Sequence, residues 1–180
     1  MIPIVNIIEE IVLKTEAIVL PGLVELDSKI TGVHYDHGHP LEIMETLKQK
    51  DKTQSYKFQL YPIIALFQDF PESVGGNLIE REATLHLIIG KGTKNTYKAR
   101  ERYEKNIIPY LYPIYEEFIN QISLDSRVIA YGPQSIEHQK TDRLYWGVNG
   151  LFGNSSNIFD SYLDVIEIKN LKLKLNIDLC

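Results

Sequence analysis

The first twenty residues carry apolar side chains at the spacing of an α-helix. Spacings of three, four and seven predict a helix over residues 4–19, ended by the Pro21-Gly22 pair. The apolar surface of this helix is wider than the stripe of somewhat more than about 100° that serves a surface helix in a monomer. We therefore expect a second contact that covers part of it; the alternative is a helix sunk into the core of its own chain. The two apolar rows consist of Ile4, Ile7, Ile11 and Ile18, and of Val5, Ile8, Val12 and Val19.

A polar stretch separates this helix from two strands. Residues 32–55 predict a polar loop or insertion with one helical turn at 41–48. Apolar and polar residues alternate over 56–60, and an apolar run follows at 61–67. Together they predict a strand with Pro62 at an edge or bulge. Pro71 and Gly75-Gly76 indicate a turn, and residues 80–89 then alternate and predict a half-buried strand that ends at Gly90.

The longest helical pattern runs from Asn95 to Ile122 and contains two prolines, Pro109 and Pro113. Proline removes a hydrogen-bond donor and clashes with the preceding turn, at a cost of roughly 3 kcal/mol inside a helix. The pattern therefore predicts a sharp kink, or two helices that meet near Ile108.

The remaining residues favour strands. Residues 127–131 and 136–145 are weaker strand candidates, and residues 147–156 predict a loop. Apolar residues occupy even positions at 166 and 168 but odd positions from 171 to 179, so the apolar side changes face near Lys169-Asn170 and predicts a bulge or tight bend.

The order of these elements predicts an α+β fold. We expect a mostly antiparallel β-sheet packed against an N-terminal helix and a long proline-kinked central helix. A chain of 180 residues suits one hydrophobic core, so residues 1–180 are predicted to form a single domain.

Composition excludes several classes of protein. The 19 basic residues are outnumbered by 24 acidic ones, giving a net charge of −5, which argues against binding nucleic acid by phosphate neutralisation. The only cysteine is Cys180, so we expect neither an intrachain disulfide nor a cysteine zinc site, and a reducing, intracellular origin. Charged and polar residues interrupt the first twenty residues, so we expect no signal peptide. Because no apolar run reaches the length of a membrane span, we also expect a soluble protein.

Three groups of residues could carry chemistry. His34, His37 and His39 have metal-ligand types, but a solvated, pH-responsive loop is the favoured interpretation, and no metal or other cofactor is predicted. The glycines of residues 90–93 are too close together for a phosphate-binding loop and favour a strand-to-helix turn. No G-x-S-x-G motif occurs, and we expect a protein that is not an enzyme.

The third group is the basic stretch, which predicts a solvated helix face and consists of Lys94, Lys98, Arg100, Arg102 and Lys105.

The arrangement of several segments resembles a bacteriophage neck protein. They are the opening helix, the segment 61–66 (YPIIAL), the long helix with Arg102-Tyr103 and residues 111–115 (LYPIY), the strand from His138 to Gly147, and the closing region 160–175. The chain is most similar to the tail terminator or tail-completion family of tailed phages. That resemblance implies a non-enzymatic structural subunit of a head-to-tail connector ring, in which a small sheet packs against helices. It brings no catalytic residues with it.

The resemblance also implies partners and a location. We expect a hexameric ring of identical copies, contacts with neighbouring neck, portal or tail-tube proteins, and DNA that passes through the lumen without sequence-specific binding. Such a protein belongs to the virion and is assembled in the host cytoplasm. A ring subunit contacts two neighbours through different surfaces. The predicted interface residues come from the first helix and from the long proline-containing helix, and they are Ile4, Ile7, Ile8, Ile11, Tyr110, Tyr112 and Tyr115.

Two other functions stay open from the sequence. The first is an intracellular binding module whose tyrosine-rich surface takes a protein or a small ligand. The second, more distant, is a metal-dependent enzyme centred on His34, His37 and His39. A ring subunit should have apolar contacts on two opposite sides, whereas a ligand-binding module should have one concave apolar pocket.

Overall fold

A computed structural model describes residues 2–51, 61–74, 80–94, 96–146 and 163–176, with the side chains of 48–51 and 80 left out. The fold is α+β, as predicted. Its helices are α1 (Ile4–Leu26), α2 (Pro40–Asp51), α3 (Ala99–Arg102) and α4 (Tyr112–Leu124), with a π-helical segment (Tyr103–Leu111) between the last two. Its strands are β1 (His34–Gly38), β2 (Ile63–Phe67), β3 (Glu72–Val74), β4 (Glu80–Gly92), β5 (Gln139–Trp146) and β6 (Leu163–Asn176).

The strands form one six-stranded, mostly antiparallel sheet. Its order is β1-β2-β4-β6-β5, and the short β3 pairs with the beginning of β4. Only β1 and β2 run parallel, and β5 forms the opposite edge. The long strands β4 and β6 pair along most of their length and form the centre of the sheet.

Helices cover the two faces of this sheet unequally. One face packs against α1 and against residues 99–124, which we call the central helix, and this layer holds the main core. On the other face a smaller core, which includes Ile43 and Met44 of α2, covers the sheet near Phe67 and Trp146. The remainder of that face carries polar side chains.

The first helix is longer than predicted. Pro21 and Gly22 lie inside α1, which continues to Leu26. The prediction of a stop at this pair is wrong because Leu23 is buried, so that tertiary packing outweighs the lost backbone hydrogen bond.

The predicted loop or insertion at 32–55 also needs correction. It contains β1, a short polar strand, and α2, which begins at Pro40, while residues 52–55 lie outside the described part of the chain. β1 is hard to predict because its sequence, HYDHG, has no alternation of apolar residues. It is held as a strand by its register with β2, from His34 opposite Ile63 to Gly38 opposite Phe67.

The central helix accommodates its two prolines by a change of helical type. Residues 103–111 are π-helical and contain Pro109, while Pro113 lies in the first turn of α4, where a backbone donor is not needed. The N–H of Tyr112 bonds to the carbonyl of Ile107, five residues earlier. This π-type hydrogen bond spans Pro109, which has no N–H to donate.

The predicted bulge in the last strand is confirmed. Leu85 pairs with Leu171 and Leu87 with Ile168, so β6 carries one more residue than β4 between these pairs. Asn170 has a φ of 52°, a left-handed conformation that asparagine tolerates better than most residues. The strand at 80–90 is confirmed as well and extends to Gly92.

Two other strand predictions have mixed outcomes. The segment 136–145 contains β5, which starts at Gln139, whereas 127–131 contributes only an isolated bridge between Val128 and Leu175. β2 is fully buried, and Pro62 precedes it with a cis Tyr61–Pro62 bond. The strand at 56–60, the turn at 75–76 and the loop at 147–156 fall outside the described residues.

Candidate functional site

The four isoleucines predicted as interface residues belong to the core of their own chain. Ile4, Ile7, Ile8 and Ile11 are 0–1% exposed and pack against the sheet. A neighbouring subunit cannot reach them in this conformation. Any contact between subunits through α1 therefore uses other residues of this helix. This corrects the prediction for these four positions.

The apolar stripe of α1 nevertheless continues beyond the part that the chain covers. Ile18 follows Ile11 by seven residues and Leu26 follows Ile18 by eight, so all three lie within an arc of about 80° around the helix axis. Ile18 is 60% exposed and Leu26 is 54% exposed. Ile18 and Leu26 are therefore open, although Thr15 and Leu23 on the same face of α1 are buried.

This uncovered part borders a groove between α1 and the central helix, with a cavity volume of about 410 Å³. We call it the helical groove. Val19 and Leu23 contribute to its apolar wall, while Glu116 and Glu117 bring carboxylates to it. The full lining is Ile18, Val19, Gly22, Leu23, Leu26, Pro109, Pro113, Glu116 and Glu117.

Two of the three predicted tyrosines lie together beside β5. Tyr112 donates a hydrogen bond to Asp142 Oδ2 at 2.6 Å, and the hydroxyl of Tyr103 contacts that of Tyr112. Tyr115 pairs with His138 Nε2 at 2.7 Å. We call this group, together with Lys140, the tyrosine cluster.

The ammonium of Lys140 organises the cluster further. It lies 4.2 Å from the ring centre of Tyr112 and 5.4 Å from that of Tyr115, and it also pairs with Asp142. Burial favours the neutral form of Asp142, but hydrogen bonds from Lys140 and Tyr112 outweigh it and lower the pKa of this carboxyl. The hydrogen bond with Tyr112 raises the pKa of Tyr103 to about 12, so both phenols stay protonated at neutral pH.

The third predicted tyrosine, Tyr110, lies elsewhere on the central helix. It is half-buried against the main core, and the ammonium of Lys91 lies 4.2 Å from its ring centre. The structure therefore brings Tyr112 and Tyr115 together and leaves Tyr110 apart from them.

A buried ion pair ties the central helix to the sheet. Arg102 donates from Nη1 to Asp164 Oδ1 at 2.9 Å, and both side chains are fully buried. Asn106 donates to the other carboxylate oxygen at 3.0 Å, and the guanidinium carbon lies 3.7 Å from the ring centre of Tyr145. This pair holds the helix that forms one wall of the groove.

This pair has only a weak signature in the sequence. Arg102 lies in the basic stretch, where Arg100 and Lys105 do form the expected exposed pairs with Glu104 and Glu101. Asp164 is the clearer sign, because it is a single acidic residue at the start of a strand whose neighbours are apolar. Its partner is distant in sequence and could not be assigned from spacing.

The polar part of the second sheet face forms another surface, which we call the open sheet face. Lys172 and Lys174 alternate with core leucines on β6 and therefore point away from the helices. Lys172 pairs with Glu137 at 2.6 Å and Lys174 with Glu82 at 3.1 Å. The open sheet face consists of Glu82, Thr84, His86, Arg143, Glu167, Lys169, Lys172 and Lys174.

Glu167 is the buried centre of this surface. Its Oε1 lies 3.0 Å from His86 Nε2 and 3.3 Å from Lys169 Nζ, and Arg143 donates to its Oε2. Burial raises the pKa of this carboxyl, but hydrogen bonds from His86 and Arg143 have the larger effect and lower it to about 2. Glu167 is therefore ionised at neutral pH.

Two of the three histidines of the metal hypothesis, His37 and His39, have separate contacts. His37 stacks on Tyr35 with ring centres 5.7 Å apart, and His39 Nδ1 accepts a hydrogen bond from the backbone N–H of Leu41. Over the described ranges, with their gaps, no group of three or more His, Cys, Asp or Glu side chains is placed to hold a metal ion.

The glycines at 90–93 have a packing role. Gly90 and Gly92 lie within β4 itself, so the predicted turn comes later, between Gly92 and Ala99. A Cβ at Gly90 would lie 3.2 Å from Val165 Cγ1, so this glycine permits close approach of β6.

Comparison with known proteins found neither a matching protein-family model nor a matching curated protein. In the described part of the chain, every helix is too short or too polar to cross a membrane.

Proposed function

We propose that this chain is a structural subunit of a phage head-to-tail connector ring, of the tail-terminator or a related neck type. Its role is to join the DNA-filled head to the tail as one of six identical copies around a DNA channel. A small sheet packed against helices, the architecture that the resemblance to neck proteins implied, supports this proposal.

The exposure of Ile18 and Leu26 on α1 is the observation that carries the proposal. Ile11 is 0% exposed, whereas Ile18 and Leu26, on the same side of the helix, are more than half exposed. Full burial of such a side chain contributes about 1.5–3 kcal/mol. A neighbouring copy that covers both residues therefore gains free energy that a monomer leaves unused.

The tyrosine cluster supplies a further contact surface. Tyrosine is enriched at protein interfaces because its ring buries apolar area while its hydroxyl stays hydrogen-bonded. Tyr112 and Tyr115 are only partly buried, and both are held in fixed orientations by Asp142 and His138. We assign this surface to neighbouring neck, portal or tail-tube proteins.

The molar mass in solution tests the proposal. We expect multi-angle light scattering to give the mass of a hexamer, and electron microscopy to show rings, for the chain alone or with its portal or tail-tube partner. Monomers under every one of these conditions would refute the proposal.

A pair of matched variants tests the part played by the stripe. Ile18→Asp places a charge in the helical groove and should reduce the ring to monomers. Leu13→Asp is the control, because Leu13 is also 60% exposed on α1 but lies about 140° away from Ile18 around the helix axis, outside the groove lining. It should leave the mass of the assembly unchanged.

The helical groove also favours one alternative, a ligand-binding module. Its volume of about 410 Å³ falls within the range of small-molecule sites, roughly 300–1,000 Å³. In that case wild-type protein should stay monomeric, and small apolar ligands should raise its melting temperature. The same ligands should have no effect on Ile18→Asp.

A further inference from the structure

The open sheet face presents an excess of accessible cations. Lys172 and Lys174 have side chains 60% and 56% exposed, and Arg143 and Lys169 are 46% and 41% exposed. Glu167, which faces the last two, is itself fully buried. Glu137 and Glu82, which pair with Lys172 and Lys174, are 71% and 53% exposed. An approaching surface therefore meets four exposed cations and two exposed carboxylates, while Glu167 stays beneath them.

The helical groove has the opposite charge. Glu116 and Glu117 line it, and Glu25 is exposed one residue before Leu26. Lys14 of α1, which pairs with Asp125 at 2.9 Å, is not part of the groove lining. The groove thus has an apolar floor, which includes Ile18 and Leu26, and carboxylates along one edge.

We infer that the open sheet face of one copy docks on the helical groove of the next copy. This inference rests on the proposed ring. The aliphatic stems of Lys172 and Lys174 lie along Ile18 and Leu26 of the neighbour, and their ammonium groups reach Glu116 and Glu117. Long lysine side chains cover apolar surface in this way while keeping their charge at a polar edge.

The placement of the two surfaces sets the symmetry of the assembly. The groove belongs to the helical layer, whereas the open sheet face points away from that layer on the other side of the sheet. Two different surfaces in contact form a heterologous interface, which gives a closed ring when the rotation between copies closes.

Charge reversal tests the inference. The sheet variant is Lys172→Glu with Lys174→Glu, which makes both surfaces acidic, and the groove variant is Glu116→Lys with Glu117→Lys, which makes both basic. Each variant alone should lose the ring and have the mass of a monomer. An equimolar mixture should regain the ring with the two variants in a 1:1 ratio by native mass spectrometry, because each surface again meets its opposite.

The matched control reverses Arg100 and Lys105 together. Both are exposed cations in surface ion pairs, as Lys172 and Lys174 are, but they lie outside the two surfaces. This control should form the ring like wild type, and circular dichroism should show that all three double variants are folded.

The outcomes separate this inference from the proposed function. If wild type forms a ring and either variant alone still does, or if the mixture of folded variants stays monomeric, the docking assignment is wrong while the ring proposal stands. If wild type forms no ring with any partner, the proposed function itself is wrong. Increasing salt should weaken the wild-type ring, since charge interactions are screened beyond about 3 Å at 1 M salt.

Discussion

The buried pair of Arg102 and Asp164 gives the sharpest test of how the fold is held. Arg102→Met keeps an unbranched, flexible and apolar stem but removes the guanidinium. Asp164 then stays buried, and the described donors left to it are the side-chain amide of Asn106 at 3.0 Å and the backbone N–H of Tyr145 at 3.4 Å. The carbonyl of Tyr97, which accepts from Arg102 Nε at 3.0 Å, also loses that donor.

The expected loss of stability follows from this uncompensated charge. Breaking a buried ion pair by removing one partner costs about 3–5 kcal/mol. A typical domain has an unfolding free energy of about 5–15 kcal/mol, so the variant loses a large fraction of it. For a chain of this size each kcal/mol lowers the melting temperature by roughly 2–4 °C, which gives a fall on the order of 10 °C.

Urea denaturation followed by circular dichroism measures this effect. The double variant Arg102→Met with Asp164→Leu should recover most of the loss, because it removes both charges and leaves apolar groups in their place. Arg100→Met is the control, since its pair with Glu104 is exposed and contributes at most about 1 kcal/mol. The reasoning is refuted if Arg102→Met unfolds within 1 kcal/mol, roughly the control's own effect, of wild type.

Three further predictions concern single positions. Glu167→Gln should destabilise the protein at pH 7 by about 3 kcal/mol, given the shift of the carboxyl pKa from 4.5 to about 2. Because the pKa is lowered in the folded state, this contribution is present above pH 4.5 and lost as the pH falls towards 2, so wild type and variant should converge in acid denaturation. Asn170→Val should cost about 1–2 kcal/mol in a urea titration because of the left-handed backbone, whereas Asn170→Gly should cost less. Pro21→Ala should raise the melting temperature, since it restores a donor within α1 at a site where proline costs up to about 3 kcal/mol; an unchanged or lower value would contradict this.

Local patterns were enough for much of the fold. The spacing of apolar residues predicted α1 and the central helix, and alternation predicted β4. The change of parity near Asn170 predicted the bulge, because parity decides which face of a sheet a side chain occupies.

Non-local packing accounts for the wrong predictions. β1 has a polar sequence and exists as a strand through its pairing with β2. Pro21 should end a helix by local rules, but the burial of Leu23 keeps α1 continuous beyond it. Arg102 lies in a stretch that predicts a solvated face, and its inward orientation depends on Asp164, which is 62 residues away.

For the candidate surface on α1, too, the sequence pattern determined one part and tertiary packing the other. From the sequence alone, the apolar row of α1 was visible as a stripe that includes Ile4, Ile11 and Ile18, because helical spacing is fixed by backbone geometry. Which of its residues are covered depends on how distant segments pack against α1, and only the tertiary structure decided it. Ile4 and Ile11 lie over the sheet and are buried, whereas Ile18 and Leu26 stay open beside the groove. Periodicity is a property of neighbouring residues, but burial is set by segments that are distant in the chain.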